Sequence, residues 1–284
     1  MTFRQRVRVS LVCIAAALAI ITIMGCAQKP EPGQPKVRRD PNLLVVYAAC
    51  SLQPAVEAAK TQFISQNAGK SADLVIDEPA KLVERVRGGA VPDIVIVPGE
   101  VEIGALVSDG FLDGASREAF GGMRVVIMVP RGNPGNVHQP DSLLGSSVRT
   151  IAIPTPGLTS AGSDAKRELE RAKLWSRLQD KLSFTPTPLA ALQAVSKRKV
   201  DAAVLYDPCI RLKVGNDVPA DSVEPISTLT PESERGTRVY AIQHKQSPNA
   251  LLARRFLTVL AAQEQATPAP AAGSSPAETP QTSQ

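Results

Sequence analysis

The stretch that most constrains the fold is LLVVYAACSLQP at residues 43–54, where a strand pattern passes directly into a helix pattern. Residues 43–47 are almost continuously apolar and rich in β-branched side chains, which is typical of a parallel strand covered on both faces. Small residues follow, and from Gln53 onward apolar side chains recur at helical spacing, with Pro54 near the helix start. A helix that begins at the carboxyl end of a parallel strand directs unpaired N–H groups at a crevice that favours anions.

Ser51 stands at this junction and has two possible roles. Its hydroxyl could donate a hydrogen bond to a ligand in the crevice, or it could simply cap the helix, as serine commonly does. The sequence pattern by itself favours capping.

Short apolar runs alternate with helical patterns over residues 43–262, which predicts an α/β fold with mostly parallel sheets and flanking helices. The predicted strands are residues 43–47, 73–76, 93–97, 124–129, 150–153, 202–206 and 238–242. The predicted helices are residues 53–66, 80–87, 101–109, 160–172, 189–197 and 250–262.

Two segments are typical of crossings between lobes. The first is MRVVIMVPRGNP at residues 123–134, and the second follows Tyr206. Two such crossings predict two hinged lobes with a ligand cleft between them. The first lobe would comprise residues 43–122 and 207–262, and the second lobe residues 123–206.

The two ends of the chain differ from this folded part. Residues 1–25 have an arginine-bearing start and an apolar run, which predicts an export signal. Their ending, ITIMGC, resembles a bacterial lipoprotein box, which implies lipid on Cys26 and a membrane-anchored, exported protein facing the periplasm or cell exterior. Ordinary signal-peptidase cleavage and an uncleaved anchor are the alternatives. Residues 26–42 read as a proline-rich tether and residues 263–284 as a disordered tail.

Charge and metal-ligand content exclude several functions. The net charge is +5, but three arginines lie in the export signal, and no basic stripe interleaved with aromatic residues is present, so no nucleic-acid partner is predicted. His138 and His244 are the only histidines, and no cluster has a standard metal spacing. No cofactor, protein-bound metal or catalytic triad is predicted.

Several segments in order resemble the periplasmic molybdate-binding proteins of ABC transporters. They are AACSLQPAVEAA, KLVERVRGGAVPDIVIV, MRVVIMVPRGNP, IAIPTPGLTSAGSDAKRELERAKLW and ALQAVSKRKVDAAVLY, which together span most of residues 43–262. The resemblance implies a two-lobed periplasmic-binding-protein fold of the type II kind, without enzymatic activity. It also implies a monomer that binds molybdate or tungstate between its lobes and presents it to an ABC transporter permease.

The resemblance also implies a set of ligand-binding residues. In the family, serine hydroxyls, backbone N–H groups and a tyrosine hydroxyl hold the oxyanion, and Ser51, Ala161 and Tyr206 stand at matching positions. Pro79 stands where the family has a second serine, and Pro188 stands where a valine N–H contacts the anion. Proline supplies neither donor. A different oxyanion or a small organic anion is therefore an alternative ligand.

The same matching brings Cys50, next to Ser51, and Cys209, after Tyr206, to one cleft. The resemblance thus implies a possible disulfide between them, which an oxidising compartment permits. Two separately buried thiols are the alternative. A reactive or soft-metal-binding thiol pair is a third possibility, which would make the protein a cysteine-dependent enzyme or redox lipoprotein.

Overall fold

The computed structural model describes residues 39–207, 218–219, 221–231 and 236–266. The predicted signal at residues 1–25, the lipidation site Cys26, most of the tether, Cys209 and residues 267–284 of the tail lie outside the described residues.

Ten strands form two five-stranded sheets within the described part of the chain. The strands are β1 Leu43–Ala49, β2 Ser71–Asp77, β3 Ile94–Pro98, β4 Glu118–Met123, β5 Val125–Pro130, β6 Ile151–Pro154, β7 Leu182–Thr185, β8 Ala202–Tyr206, β9 Val223–Thr228 and β10 Thr237–Gln243. The first sheet has the order β2-β1-β3-β10-β4 and belongs to lobe 1, and the second has the order β7-β6-β8-β5-β9 and belongs to lobe 2.

Both sheets are mixed rather than mostly parallel. In lobe 1, β1 pairs in parallel with β2 and β3, whereas β10 is antiparallel to β3 and β4. In lobe 2, β6 pairs in parallel with β7 and β8, whereas β5 is antiparallel to β8 and β9. The antiparallel pairs arise because each crossing strand enters its sheet from the other lobe.

Six helices of at least two turns flank the sheets among the described residues. They are α1 Gln53–Gln66, α2 Pro79–Arg87, α3 Val101–Ser108, α4 Ser160–Arg171, α5 Pro188–Ser196 and α6 Ala250–Ala266. Their starts agree with the predicted helices to within one residue, and proline at the first turn or a threonine cap marks four of them in the sequence. None of the six combines the length and apolar character that a membrane-spanning helix needs.

The first crossing lies at Arg124, between β4 and β5, as predicted, but the second lies later than predicted. Residues 223–228 form β9, which pairs with β5 in the lobe 2 sheet, so the chain returns to lobe 1 only between β9 and β10. The assignment of residues 223–228 to lobe 1 was therefore wrong, whereas β10 lies in the lobe 1 sheet. The sequence VEPIST gives a weak strand signal because it contains a proline and a glutamate.

The folded part also extends beyond both predicted ends. Arg39, assigned to the tether, donates to the Asp93 carboxylate at 3.0 Å and to the Val91 carbonyl. At the other end, α6 continues to Ala266, beyond the predicted boundary at residue 262. Phe256 of α6 meets Phe63 of α1 edge to face, with ring centroids 5.7 Å apart, which fixes α6 against lobe 1.

Candidate functional site

A cavity between the lobes contains the residues that the resemblance singled out. Its volume is about 20 Å³, roughly the room that one water molecule needs. Lobe 1 contributes Cys50, Ser51, Glu78, Pro79, Pro98 and Glu102, and lobe 2 contributes Ser160, Ala161, Pro188, Leu189 and Tyr206. All five residues that the resemblance singled out thus lie around one cleft, while their contact with a ligand stays a prediction.

Three helices of eight residues or more begin at this cavity. Pro79 is the first residue of α2, Ser160 of α4 and Pro188 of α5. The first N–H groups of a helix have no partner within it, and with the helix dipole they stabilise negative charge. The starts converge because each helix follows a strand of a parallel pair, and these strands end at the same edge of their sheet.

Lobe 2 offers backbone donors at two of these starts. Thr159 caps α4 by accepting from the Gly162 N–H, and Thr187 caps α5 by accepting from the Ala190 N–H. Ala161 and Leu189 are the second residues of their helices and both line the cavity. The loss of an N–H at Pro188 is therefore confined to that residue, because Leu189 beside it carries one.

Ser51 lies at the cavity with its hydroxyl weakly engaged. Its Oγ contacts the Met123 sulfur at 3.8 Å, a distance typical of a weak hydrogen bond to sulfur. Leu52 is the N-cap residue of α1, and no side chain caps that helix. The capping role that the sequence favoured for Ser51 is therefore wrong, which leaves its hydroxyl available to a ligand.

Ser160 and Glu102 join the two lobes, and sequence reasoning missed both. The Ser160 N–H lies 3.2 Å from each Glu102 carboxylate oxygen, and the Ser160 hydroxyl donates to Glu102 Oε2 and accepts from the Val101 N–H at 3.0 Å. Burial raises the pKa of Glu102, although its hydrogen bonds from Ser160 act in the opposite direction. The Glu102 carboxyl thus occupies an anion position at the start of α4.

Gly99 permits this close approach of the lobes. Its φ of +73° lies in the left-handed region, and a Cβ built on it would overlap the Cβ and hydroxyl of Ser160. The PGEVE sequence at residues 98–102 held the only sequence signal for this contact, a glycine and an acidic first turn at a strand-to-helix junction.

Tyr206 lies at the cavity with its hydroxyl already engaged. The Tyr206 hydroxyl donates to Asp164 Oδ2, and the Thr237 hydroxyl donates to the same oxygen. Burial, together with the negative charge of Asp164, raises the pKa of Tyr206 well above its usual value. In this arrangement Tyr206 ties β8 to α4 and, through Asp164, to β10.

Glu78 and Pro79 form the part of the lobe 1 wall that departs from the resemblance. Pro79 supplies neither a hydroxyl nor an N–H, and Glu78, the N-cap residue of α2, is only 5% exposed. Glu78 Oε1 lies 3.8 Å from the Lys81 ammonium group, whereas the buried Oε2 has no hydrogen-bond partner among the described residues.

Comparison with known proteins assigns the family. The sequence pattern of the family described as Bacterial extracellular solute-binding protein matches residues 44–273, most of the chain. The chain belongs to this family. Its members are solute-binding proteins, not a family of enzymes.

Relatives of this solute-binding protein agree with that assignment. The chain is 26% identical to YvgL of Bacillus subtilis (strain 168), whose name describes an ABC transporter substrate-binding lipoprotein, over 75% of this chain and 82% of the relative. It is 23% identical to the molybdate-binding protein ModA of Escherichia coli (strain K12), over 78% of this chain and 84% of the relative. The fold is shared with the periplasmic molybdate-binding protein of Azotobacter vinelandii, with a TM-score of 0.54 and 18% identity. The match covers 76% of this chain and 92% of that protein.

Cys50 is a buried, free thiol within the described part of this solute-binding protein. Cys209 lies outside the described residues, so the disulfide between Cys50 and Cys209 stays a prediction, and the burial of Cys50 agrees with the alternative of separately buried thiols. Burial raises the pKa of Cys50 to about 12, with the Glu78 carboxylate as the second cause. A thiol that stays protonated is a poor nucleophile and a poor metal ligand, so the reactive-thiol alternative is disfavoured.

Proposed function

We propose that this solute-binding protein captures a small oxyanion, molybdate or tungstate, between its lobes and presents it to the permease of an ABC transporter. It acts as a monomer outside the cytoplasm, held at the membrane by lipid on Cys26. The name of YvgL supports the transport and lipoprotein parts of this proposal, and the name of ModA supports the ligand.

The cavity at the starts of α2, α4 and α5 carries the proposal. A small anion there would accept hydrogen bonds from the Ser51 hydroxyl of lobe 1 and from the Ala161 and Leu189 N–H groups of lobe 2. Since these donors belong to different lobes, an anion contacts all of them only when the lobes are closed. This difference in contacts is what would drive closure.

Glu102 gives the cleft an internal competitor. In the structure its carboxyl holds the Ser160 N–H and hydroxyl, so the lobes are bridged by a group of the protein itself. An arriving oxyanion would share the start of α4 with this carboxyl, and the two negative charges would repel each other.

A different oxyanion or a small organic anion is the second candidate ligand. Pro79 removes two donors from the lobe 1 wall, and the Glu78 and Glu102 carboxyls add acceptors. A cysteine-dependent enzyme is not favoured, because Cys50 is buried with a pKa of about 12.

Isothermal titration calorimetry with molybdate, tungstate, sulfate and phosphate tests the proposal on the full chain in detergent. We expect saturable binding of molybdate and tungstate with one anion per chain, weakened by Ser51→Ala. Saturable binding of phosphate alone would favour the second candidate. Absence of binding for all four would contradict an oxyanion function.

A further inference from the structure

Glu78 places a buried acceptor in a cavity otherwise suited to an anion. Its residue is 5% exposed, and its Oε2 atom has no hydrogen-bond partner among the described residues. Buried polar atoms in folded proteins almost always have a partner, so an oxygen without one at a ligand cavity indicates a contact that the ligand completes. An ionised carboxylate can only accept a hydrogen bond, and a protonated one can donate.

We propose that Glu78 shares one proton with the bound oxyanion and thereby determines which oxyanions the cleft accepts. This inference rests on the proposed oxyanion function. An anion that keeps a proton at neutral pH, such as hydrogen phosphate, would donate that proton to the Glu78 carboxylate. A fully deprotonated dianion such as molybdate would bind with a proton taken from solvent onto Glu78, whose O–H then donates to an anion oxygen.

Position supports this role. Glu78 directly precedes Pro79, where the resemblance implies a serine hydroxyl donor. A protonated Glu78 would restore one O–H donor at this wall. Glu102 does not offer the same contact, because its oxygens already accept from the Ser160 N–H and hydroxyl.

The Glu78 carboxyl forms one long ion pair, through Oε1, and other titratable groups surround the cavity. Lys81 is the nearest cation at 3.8 Å from Oε1, but its side chain is half exposed, and it also lies 3.7 Å from Asp77. Arg85 pairs with Asp77 at 3.0 Å. Titratable groups on the other elements around the cavity are the Cys50 thiol after β1, Glu102 on α3, Tyr206 on β8 and, behind it, Asp164 on α4.

Proton counting by calorimetry tests this proposal on the full chain in detergent. Molybdate is titrated in two buffers of different ionisation enthalpy at about pH 6 and about pH 8, and phosphate at about pH 8. We expect the uptake of close to one proton per molybdate at the higher pH and no proton uptake with phosphate. The molybdate Kd should rise about tenfold for each pH unit over which Glu78 of the free protein is ionised.

Variants assign the proton to Glu78. In Glu78→Gln the side-chain amide donates a hydrogen bond without first taking up a proton from solvent. Proton uptake on molybdate binding should therefore vanish, and the molybdate Kd should no longer depend on pH. Glu84→Gln is the matched control, because Glu84 is an exposed carboxylate on the same helix, and it should keep the wild-type proton count. Glu102→Gln should also keep proton uptake.

The outcomes separate this inference from the proposed function. Molybdate binding without proton uptake in the wild type, which needs no variant to fold, overturns proton sharing and leaves the oxyanion function standing. Uptake that persists in Glu78→Gln, or that Glu102→Gln removes instead, overturns the assignment to Glu78. Absence of binding for every oxyanion at both pH values overturns both proposals.

Discussion

The two walls of the cleft offer a ligand opposite hydrogen-bonding groups. The lobe 2 wall presents Ala161 and Leu189 at the starts of α4 and α5, and their N–H groups can only donate. The lobe 1 wall presents Ser51 beside the carboxyls of Glu78 and Glu102, which accept hydrogen bonds when ionised. We therefore expect the lobe 2 wall to suit any small oxyanion and the lobe 1 wall to determine which anions are accepted. A shared fold thus fixes only part of the ligand chemistry.

Blocking the approach of the two walls should have the largest effect. We expect Gly99→Ala to raise the molybdate Kd about 100-fold, roughly 2.7 kcal/mol, because the new Cβ overlaps Ser160 and keeps the lobes apart. Gly110→Ala is the control, since Gly110 has a φ of +83° but no atom within 4 Å of a built Cβ. Both variants carry the backbone strain, about 1–2 kcal/mol. Equal Kd values for the two variants would contradict lobe closure at Ser160.

Removing the hydroxyl that Ser51 contributes to the lobe 1 wall should have the next largest effect. We expect Ser51→Ala to raise the molybdate Kd about tenfold, because the anion loses a hydrogen bond to a charged acceptor. Calorimetry measures the change, with Ser65→Ala as control, since Ser65 is exposed on α1 and bonds only its own helix at the Gln62 carbonyl. An unchanged Kd in Ser51→Ala would mean that lobe 1 contributes no donor.

Tyr206→Phe distinguishes a ligand contact from an internal tie. The Tyr206 hydroxyl donates a hydrogen bond to the Asp164 carboxylate. We expect its loss to lower the free energy of unfolding by about 1.5–3 kcal/mol, as for other hydrogen bonds to charged groups. The molybdate Kd should rise less than in Ser51→Ala. Denaturant unfolding and calorimetry measure both quantities, and a loss of affinity at unchanged stability would restore Tyr206 as a direct ligand contact.

Glu102→Gln should have the smallest effect and should show in the pH dependence of stability. The folded protein raises the pKa of Glu102, so the stability contributed by its neutral form is present at acid pH and is lost as pH rises through the folded pKa. The glutamine variant should match the wild type at acid pH and exceed its Tm near neutral pH by about 2–4 °C. Thermal unfolding across pH measures this, and parallel Tm curves would contradict it.

Much of the fold could be predicted from local sequence signals. The six helix starts agree to within one residue, and four of them carry a local mark, a proline in the first turn or a threonine at the N-cap. The strand β9 was missed because its pairing with β5 is decided by tertiary contact rather than by its own polar, proline-containing sequence. The antiparallel pairs were also missed, because the direction of a strand in its sheet depends on where the chain crosses between the lobes.

The candidate site was predictable only where one residue carries the signal. Ser51, Ala161 and Tyr206 could be located by resemblance, whereas the bridge between Ser160 and Glu102 spans 58 positions and has no local pattern. Whether the Tyr206 hydroxyl faces a ligand or Asp164 likewise depends on packing. The sequence showed a glutamate beside Pro79, but only the structure shows that its carboxyl is buried at the cavity with one oxygen unpaired.

The difference between the walls is tested most directly by the molybdate Kd of the wild-type full chain at about pH 6 and about pH 8, measured by calorimetry. The lobe 1 wall carries carboxyl acceptors and the lobe 2 wall carries N–H donors. This arrangement predicts saturable molybdate binding that is clearly tighter at the lower pH, where a carboxyl at the anion takes up a proton more readily. The same Kd at both pH values would contradict a carboxyl at the anion, and no binding at either pH would contradict the oxyanion site itself.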